Sequence, residues 1–173
     1  MRGLKGVDRM IRIDKILDAS RILTDLKSGS KPEVLRAMTD WLASQKMLKD
    51  SAAIHQLLLD RETLMTTGVK NGFAFPHCFS EEFDESFLTL GIVPDGVDYE
   101  SLDGNPVEYI FLLLGPPHHQ TVHLRILARI SRLMSQPDML ETLRSLKSSE
   151  EIMQLFVDTE RRLTSLSYYT SDV

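Results

Sequence analysis

The chain predicts an α/β fold in which a small mixed β-sheet is sandwiched between α-helices on both faces. Three features carry this. Apolar residues recur at helical spacing before residue 62 and again after residue 120. Between them lie short apolar runs bounded by glycine and proline. One of these, Val107 to Leu114, is apolar enough to be buried on both faces, as a central strand is. Helices, then strands, then helices is the order that layers helices about a sheet.

In chain order, residues 1–12 read as a loose arm, since Asp8 interrupts the basic run Arg2, Lys5, Arg9. Residues 13–160 form the domain. Ile13 to Ile22 reads as a short helix or strand-turn with Ile16 and Leu17 inward. Ser30-Lys31-Pro32-Glu33 is a helix start: Ser30 can cap, Pro32 suits the first turn, and Glu33 has capping-box spacing. Val34, Leu35, Met38, Trp41 and Leu42 carry that helix to about Met47. A second helix starts at Asp50-Ser51 and continues through Ile54, Leu57 and Leu58 to Asp60-Arg61-Glu62, giving an antiparallel pair.

Gly68 and Gly72 bracket a polar loop, and Phe73-Ala74-Phe75 reads as a short strand. Pro76 cannot donate to a ladder, so this strand ends or lies at an edge, with His77 delivered at its end. Phe87 to Val93 is a buried strand closed by Pro94-Asp95-Gly96. Val97 to Gly104 reads as a further short strand, followed by the turn before Val107. A helix opens at Gln120 or Thr121 with His123, Ile126, Leu127, Ile130, Leu133 and Met134 on one stripe. Pro137-Asp138 breaks it, a short helix follows from Met139, and Ser148 to Glu151 caps the last one. Residues 161–173 read as a flexible tail.

Composition narrows the function. A formal net charge of −5 argues against a nucleic-acid partner. No apolar run approaches the roughly 20 residues of a membrane span, and no secretory signal follows the basic N-terminus. One cysteine, Cys78, allows no internal disulfide, so a cytoplasmic location is expected. Cys78 adjoins His77, but neighbours along a strand face opposite ways, which argues against a Cys–His nucleophile and for a small buried residue.

Of the five histidines, His55 reads as structural, and His118 and His119 as solvated loop residues. His123 lies in the first turn of its helix, where free N–H groups and the positive dipole end suit a phosphate; a buried core histidine is the plainer reading. His119 and His123 could share a helix face as zinc ligands do. They lack an intervening Glu, and no Cys or Asp pair follows, so no metal is expected. No P-loop, dinucleotide fingerprint or kinase loop is present, and no cofactor is expected.

Four separated segments, in order, carry a resemblance. Arg61-Glu62, then Thr67-Gly68-Val69-x-Asn71-Gly72-Phe73-Ala74-Phe75-Pro76-His77, then Leu102-Asp103-Gly104-x-Pro106-Val107, then His123-Leu124-x-x-Leu127-Ala128 resemble the type-2 (fructose/mannitol/nitrogen-regulatory) enzyme IIA domains of the bacterial phosphoenolpyruvate phosphotransferase system. The chain departs from the usual pattern at Cys78, where a small residue commonly follows the histidine.

The resemblance implies that His77 accepts a phosphoryl group from the histidine phosphocarrier protein. Arg61 is then the phosphate-stabilising cation, and His123 orients His77 or donates to the phosphoryl oxygens. Backbone N–H groups of the loop holding Thr67, Gly68, Asn71 and Gly72 complete the cradle. Two outcomes are implied: a nitrogen-type regulator whose phosphorylation switches docking onto kinases or transporters, or a sugar-specific IIA passing phosphate to a IIB domain. No IIB or IIC region and no membrane span lie within these 173 residues, which favours the regulatory type.

Overall fold

The two helix starts legible in the sequence form as written, and they fix the first layer. In the computed structural model, which describes residues 11–27 and 29–169, Ser30 and Glu33 make a reciprocal capping box on α2 (Lys31–Ser44). The Asp50 side chain accepts from the Ala53 N–H to start α3 (Ser51–Leu64). Before them come a single turn, α1 (Ile13–Ile16), and a two-residue strand, β1 (Ile22–Leu23), with Ile16 and Leu17 buried as expected.

The sheet is built on β5 (Val107–Gly115), almost wholly buried along its length. Antiparallel to it runs β4 (Phe87–Val97), and β1 pairs parallel with the outer side of β4. On the other side of β5 two short strands follow one another, both parallel to it: β2 (Phe73–Ala74) and β3 (His77–Phe79). Pro76 falls between them on this outer side of the sheet, so His77 opens a second strand segment rather than closing the first.

Side chains alternate between two cores. Phe73, Leu88, Leu90, Tyr109, Phe111 and Leu113 pack beneath α4 (Gln120–Met134), α5 (Met139–Ser145) and α6 (Ser149–Tyr169). Ala74, Cys78, Ile110, Leu112 and Leu114 face α2 and α3 through Val34, Leu35, Met38, Ile54 and Leu58. Helices on both faces of a mixed sheet is the expected architecture.

Two elements differ from expectation. Val97 is the last residue of β4, beyond a register shift after Ile92 in which Gly96 takes φ +70°; residues 98–106 form a loop and not a strand. The reason is local, since Asp98, Asp103 and Ser101 hydrogen-bond within their own loop and compete with a ladder.

The last helix runs to Tyr169 and does not end near Arg161. Thr159, Glu160 and Leu163 keep its inner stripe buried. The Glu160 carboxylate accepts from the Ile13 N–H and pairs with Arg129, tying α6 to α1 and α4. Most of the expected N-terminal arm (residues 1–10) and the last tail residues (170–173) lie outside the described residues.

Candidate functional site

His77 is half-buried at the start of β3, on the same side of the sheet as Phe79 and opposite Cys78. Its Nδ1 lies 2.9 Å from the Phe75 carbonyl oxygen. A carbonyl can only accept, so Nδ1 carries a proton, and in the neutral ring the lone pair is on Nε2. The Phe75-Pro76 break makes this bond possible, because it leaves the Phe75 carbonyl beside the ring of the residue two positions on.

Phe79 continues the same face and stacks on His123, with ring centroids 4.4 Å apart. His123 is 2% exposed. Burial, and then repulsion from the neighbouring His77 and His119, lower its pKa to about 4, so at neutral pH it is uncharged. Its Nε2 lies 3.1 Å from the Ser86 hydroxyl, which in turn lies 2.9 Å from His119 Nδ1. Among the described residues, His123 Nδ1 has no hydrogen-bond partner.

Gly115, at the end of β5, makes room for this arrangement. A Cβ there would lie 2.6 Å from His123 Nε2 and press into the Ser86 hydroxyl. His119 is therefore not the solvated loop residue expected; it is half-buried at the N-cap of α4 and bonded to Ser86. Ser86 itself carries no sequence signal. It matters because the antiparallel pairing of Phe87 with Leu114 sets it beside Gly115.

Arg61 sits in the last turn of α3, on the Cys78 side of the sheet, and donates from Nη1 to the Met65 carbonyl at 3.1 Å. Within the described residues that is its hydrogen bond, and none joins it to His77 or His123. Its neighbour Glu62 is buried, accepts from the Thr67 N–H and hydroxyl, and lies 3.4 Å from Lys31 Nζ.

In the loop expected as the phosphate cradle, several groups have partners within the protein. The Thr67 amide is bound by Glu62, that of Gly68 by the Thr66 hydroxyl, and that of Asn71 by Asp103, whose carboxyl is held low by this bond and by those from Asn105 and Ser101. Gly72, at φ +76°, gives its carbonyl to the Glu108 and Tyr109 amides. Tyr109 and His77's partner Leu113 are four residues apart on β5, about 13 Å at strand rise. The loop is thus a hairpin that positions β2: its Gly72 end lies that far along β5 from His77, while Thr67 at its other end accepts from the amide of Phe75, the residue whose carbonyl meets His77.

Cys78 faces the other core, where burial and the Glu82 carboxylate push its thiol up to about 12, leaving it protonated. His55 donates from Nε2 to the Pro32 carbonyl at 2.9 Å, bracing α3 against α2.

Comparison with known proteins shows what the chain as a whole is similar to. The sequence profile described as "Phosphoenolpyruvate-dependent sugar phosphotransferase system, EIIA 2" matches residues 15–158. The chain is 33% identical over 151 residues to a nitrogen regulatory protein of Pseudomonas aeruginosa, covering 87% of this chain and 98% of that one. It is 29% identical over 145 residues to a fructose-specific EIIABC component of Bacillus subtilis, covering 84% of this chain and 23% of the relative. Among solved structures, nitrogen regulatory protein IIA-Ntr of Neisseria meningitidis superposes with a TM-score of 0.77 at 29% identity, over 83% of this chain and 98% of that chain.

Proposed function

Because the chain belongs to the phosphoenolpyruvate-dependent sugar phosphotransferase system EIIA 2 family, we propose that it is a phosphohistidine protein of the nitrogen-regulatory type. In this reading Nε2 of His77 takes a phosphoryl group from the histidine phosphocarrier protein, and the phosphorylation state governs docking onto partner proteins. The observation that carries it is the hydrogen bond from His77 Nδ1 to the Phe75 carbonyl, which leaves Nε2 as the nucleophile.

The Nε2 lone pair attacks phosphorus, the N–P bond to the carrier's imidazole breaks, and its electron pair returns to that ring. His77 then bears a positive ring charge, with its Nδ1–H held by the Phe75 carbonyl. Transfer of this kind depends on placement and on charge stabilisation of the phosphoryl oxygens. Neutral His123 supplies a donor from the first turn of α4, whose free N–H groups add a positive end. Arg61 is the cation in this scheme on the strength of the family resemblance. It starts on the Cys78 side of the sheet and must leave its contact with Met65, or use its other N–H groups around the sheet edge, to meet the phosphoryl oxygens.

The likeness to nitrogen regulatory proteins along nearly the whole chain supports regulation as the output. The match to a fructose-specific component supports a second reading, transfer onward to a IIB domain.

The test is incubation with phosphoenolpyruvate, enzyme I and the phosphocarrier. One acid-labile phosphate is expected, absent in His77→Ala; acid-stable label, or label surviving that substitution, overturns the proposal. Rapid passage of the label to a fructose-type IIB domain would favour the second output.

A further inference from the structure

The hydroxyl of Ser86 stands between two imidazoles, 2.9 Å from His119 Nδ1 and 3.1 Å from His123 Nε2. A hydroxyl has one proton to give. If both contacts are hydrogen bonds, Ser86 donates to one ring and accepts from the other, and the two rings are locked together. Either His119 donates from Nδ1 and Ser86 donates to His123 Nε2, or His123 donates from Nε2 and Ser86 donates to His119. In the first arrangement a neutral His123 carries its proton on Nδ1. In the second, Nδ1 is a bare lone pair.

That choice decides what His123 can do. Its Nε2 is taken by Ser86, so Nδ1, buried and without a partner among the described residues, is the atom left to act. Phosphoryl oxygens are acceptors only. An Nδ1–H would bind them and a bare Nδ1 would repel them. The two ends of the chain also differ in freedom. His119 is half-exposed, so water can serve its Nε2 as donor or acceptor; His123, 2% exposed, has no such choice.

We infer that Ser86 and His119 are positioning residues that fix His123 in its Nδ1–H tautomer before any phosphoryl group arrives, making it a preformed donor to the phosphohistidine of His77. The Cβ-free Gly115 is part of the device, since it leaves the space in which Ser86 and His123 meet. The inference deepens the proposed phosphoryl relay and rests on it for the role of the donor. The tautomer itself stands apart from that reading.

The experiment uses the full chain with histidine labelled in 15N. In the free protein, His123 is expected to show a protonated Nδ1 and an unprotonated Nε2. Ser86→Ala should release this to a mixture or to Nε2–H, and Ser86→Thr, which restores the hydroxyl, should return it. In the phosphorylation assay Ser86→Ala should lower kcat about tenfold, with the KM for the phosphocarrier unchanged and with rescue by Ser86→Thr. His119→Asn keeps a donor near the Nδ1 position and should retain most of the rate, whereas His119→Ala should not.

An Nε2–H tautomer in the wild type, or a tautomer and rate indifferent to Ser86→Ala, overturns the inference. Should Ser86→Ala fail to fold, the wild-type tautomer and the contrast between the two His119 variants still decide it. If the wild type takes no phosphate on His77, the relay reading fails, while the tautomer spectrum continues to judge the Ser86 coupling by itself.

Discussion

Replacing Gly115 with alanine tests the site through a single methyl group. Gly115 does not occupy the positive-φ region, so its backbone accepts alanine without strain and any effect is steric. The new Cβ would stand 2.6 Å from His123 Nε2 and 3.1 Å from the Ser86 Cα, and would press on the Ser86 hydroxyl. Contacts under 3.0 Å are not tolerated, so the buried His123 ring must retreat or the Ser86 hydroxyl must swing away. Their 3.1 Å hydrogen bond cannot survive either movement. The Ser86 Cα is backbone at the mouth of the β4–β5 pairing and can yield little.

Overpacking of this kind costs about 1–3 kcal/mol of stability. Misplacing a donor to a charged phosphoryl group costs a further 1.5–3 kcal/mol or so in the transfer step, about ten- to a hundredfold in rate. Urea unfolding would read the first quantity, and single-turnover labelling from the phosphorylated carrier the second. A folded Gly115→Ala protein with wild-type stability and transfer rate would refute both the geometry and the role assigned to His123.

Other expectations follow from the same contacts. The folded-state pKa of His123, about 4 against an ordinary 6.5, means that protonation favours the unfolded chain. Its contribution is complete above about pH 6.5 and is lost as pH falls toward 4, by about 3 kcal/mol in all. Urea unfolding of the wild type should therefore weaken over that window more than that of His123→Phe; parallel curves would contradict it. Glu62→Ala removes the acceptor of the Thr67 N–H and leaves buried Lys31 with Glu100 as its remaining carboxylate. A loss of about 3 kcal/mol is expected, and a loss under about 1 kcal/mol would show that Glu62 does not anchor the hairpin. Ser30→Ala breaks the capping box of α2 and should cost about 1 kcal/mol by the same measurement.

How far the sequence could be read depended on whether a feature was local. The caps at Ser30 and Asp50, the apolar run of β5 and the inward stripe of α4 follow from spacing alone, and all formed as expected. The inward position of His123 came from the same stripe.

What escaped was settled between distant segments. Thr67, Gly68, Asn71 and Gly72 have the look of an anion loop, and nothing in the local pattern shows that the amides of Thr67, Gly68 and Asn71 are met by Glu62, Thr66 and Asp103, or that the Gly72 carbonyl is met by β5. Ser86 precedes an ordinary strand, and only the antiparallel register of β4 on β5 brings it to Gly115 and the two histidines. The length of α6 was misjudged because its outer residues are polar, while Leu163 and Glu160 are held inward by α1 and α4.

The break at Phe75-Pro76 has a consequence for how other proteins can approach. Sheet edges invite a visiting strand, which reads a row of free amides and carbonyls. Here the outer side of β2 is already occupied, since the Phe75 amide donates to the Thr67 carbonyl and the Val69 amide to the Phe73 carbonyl. Pro76 offers no amide, and β3 is three residues long. A stranger's backbone therefore finds too short a template to add itself beside His77. Any protein that approaches His77 must do so through side chains and helix faces around it, and at this edge the sheet offers little template for pairing with a second copy.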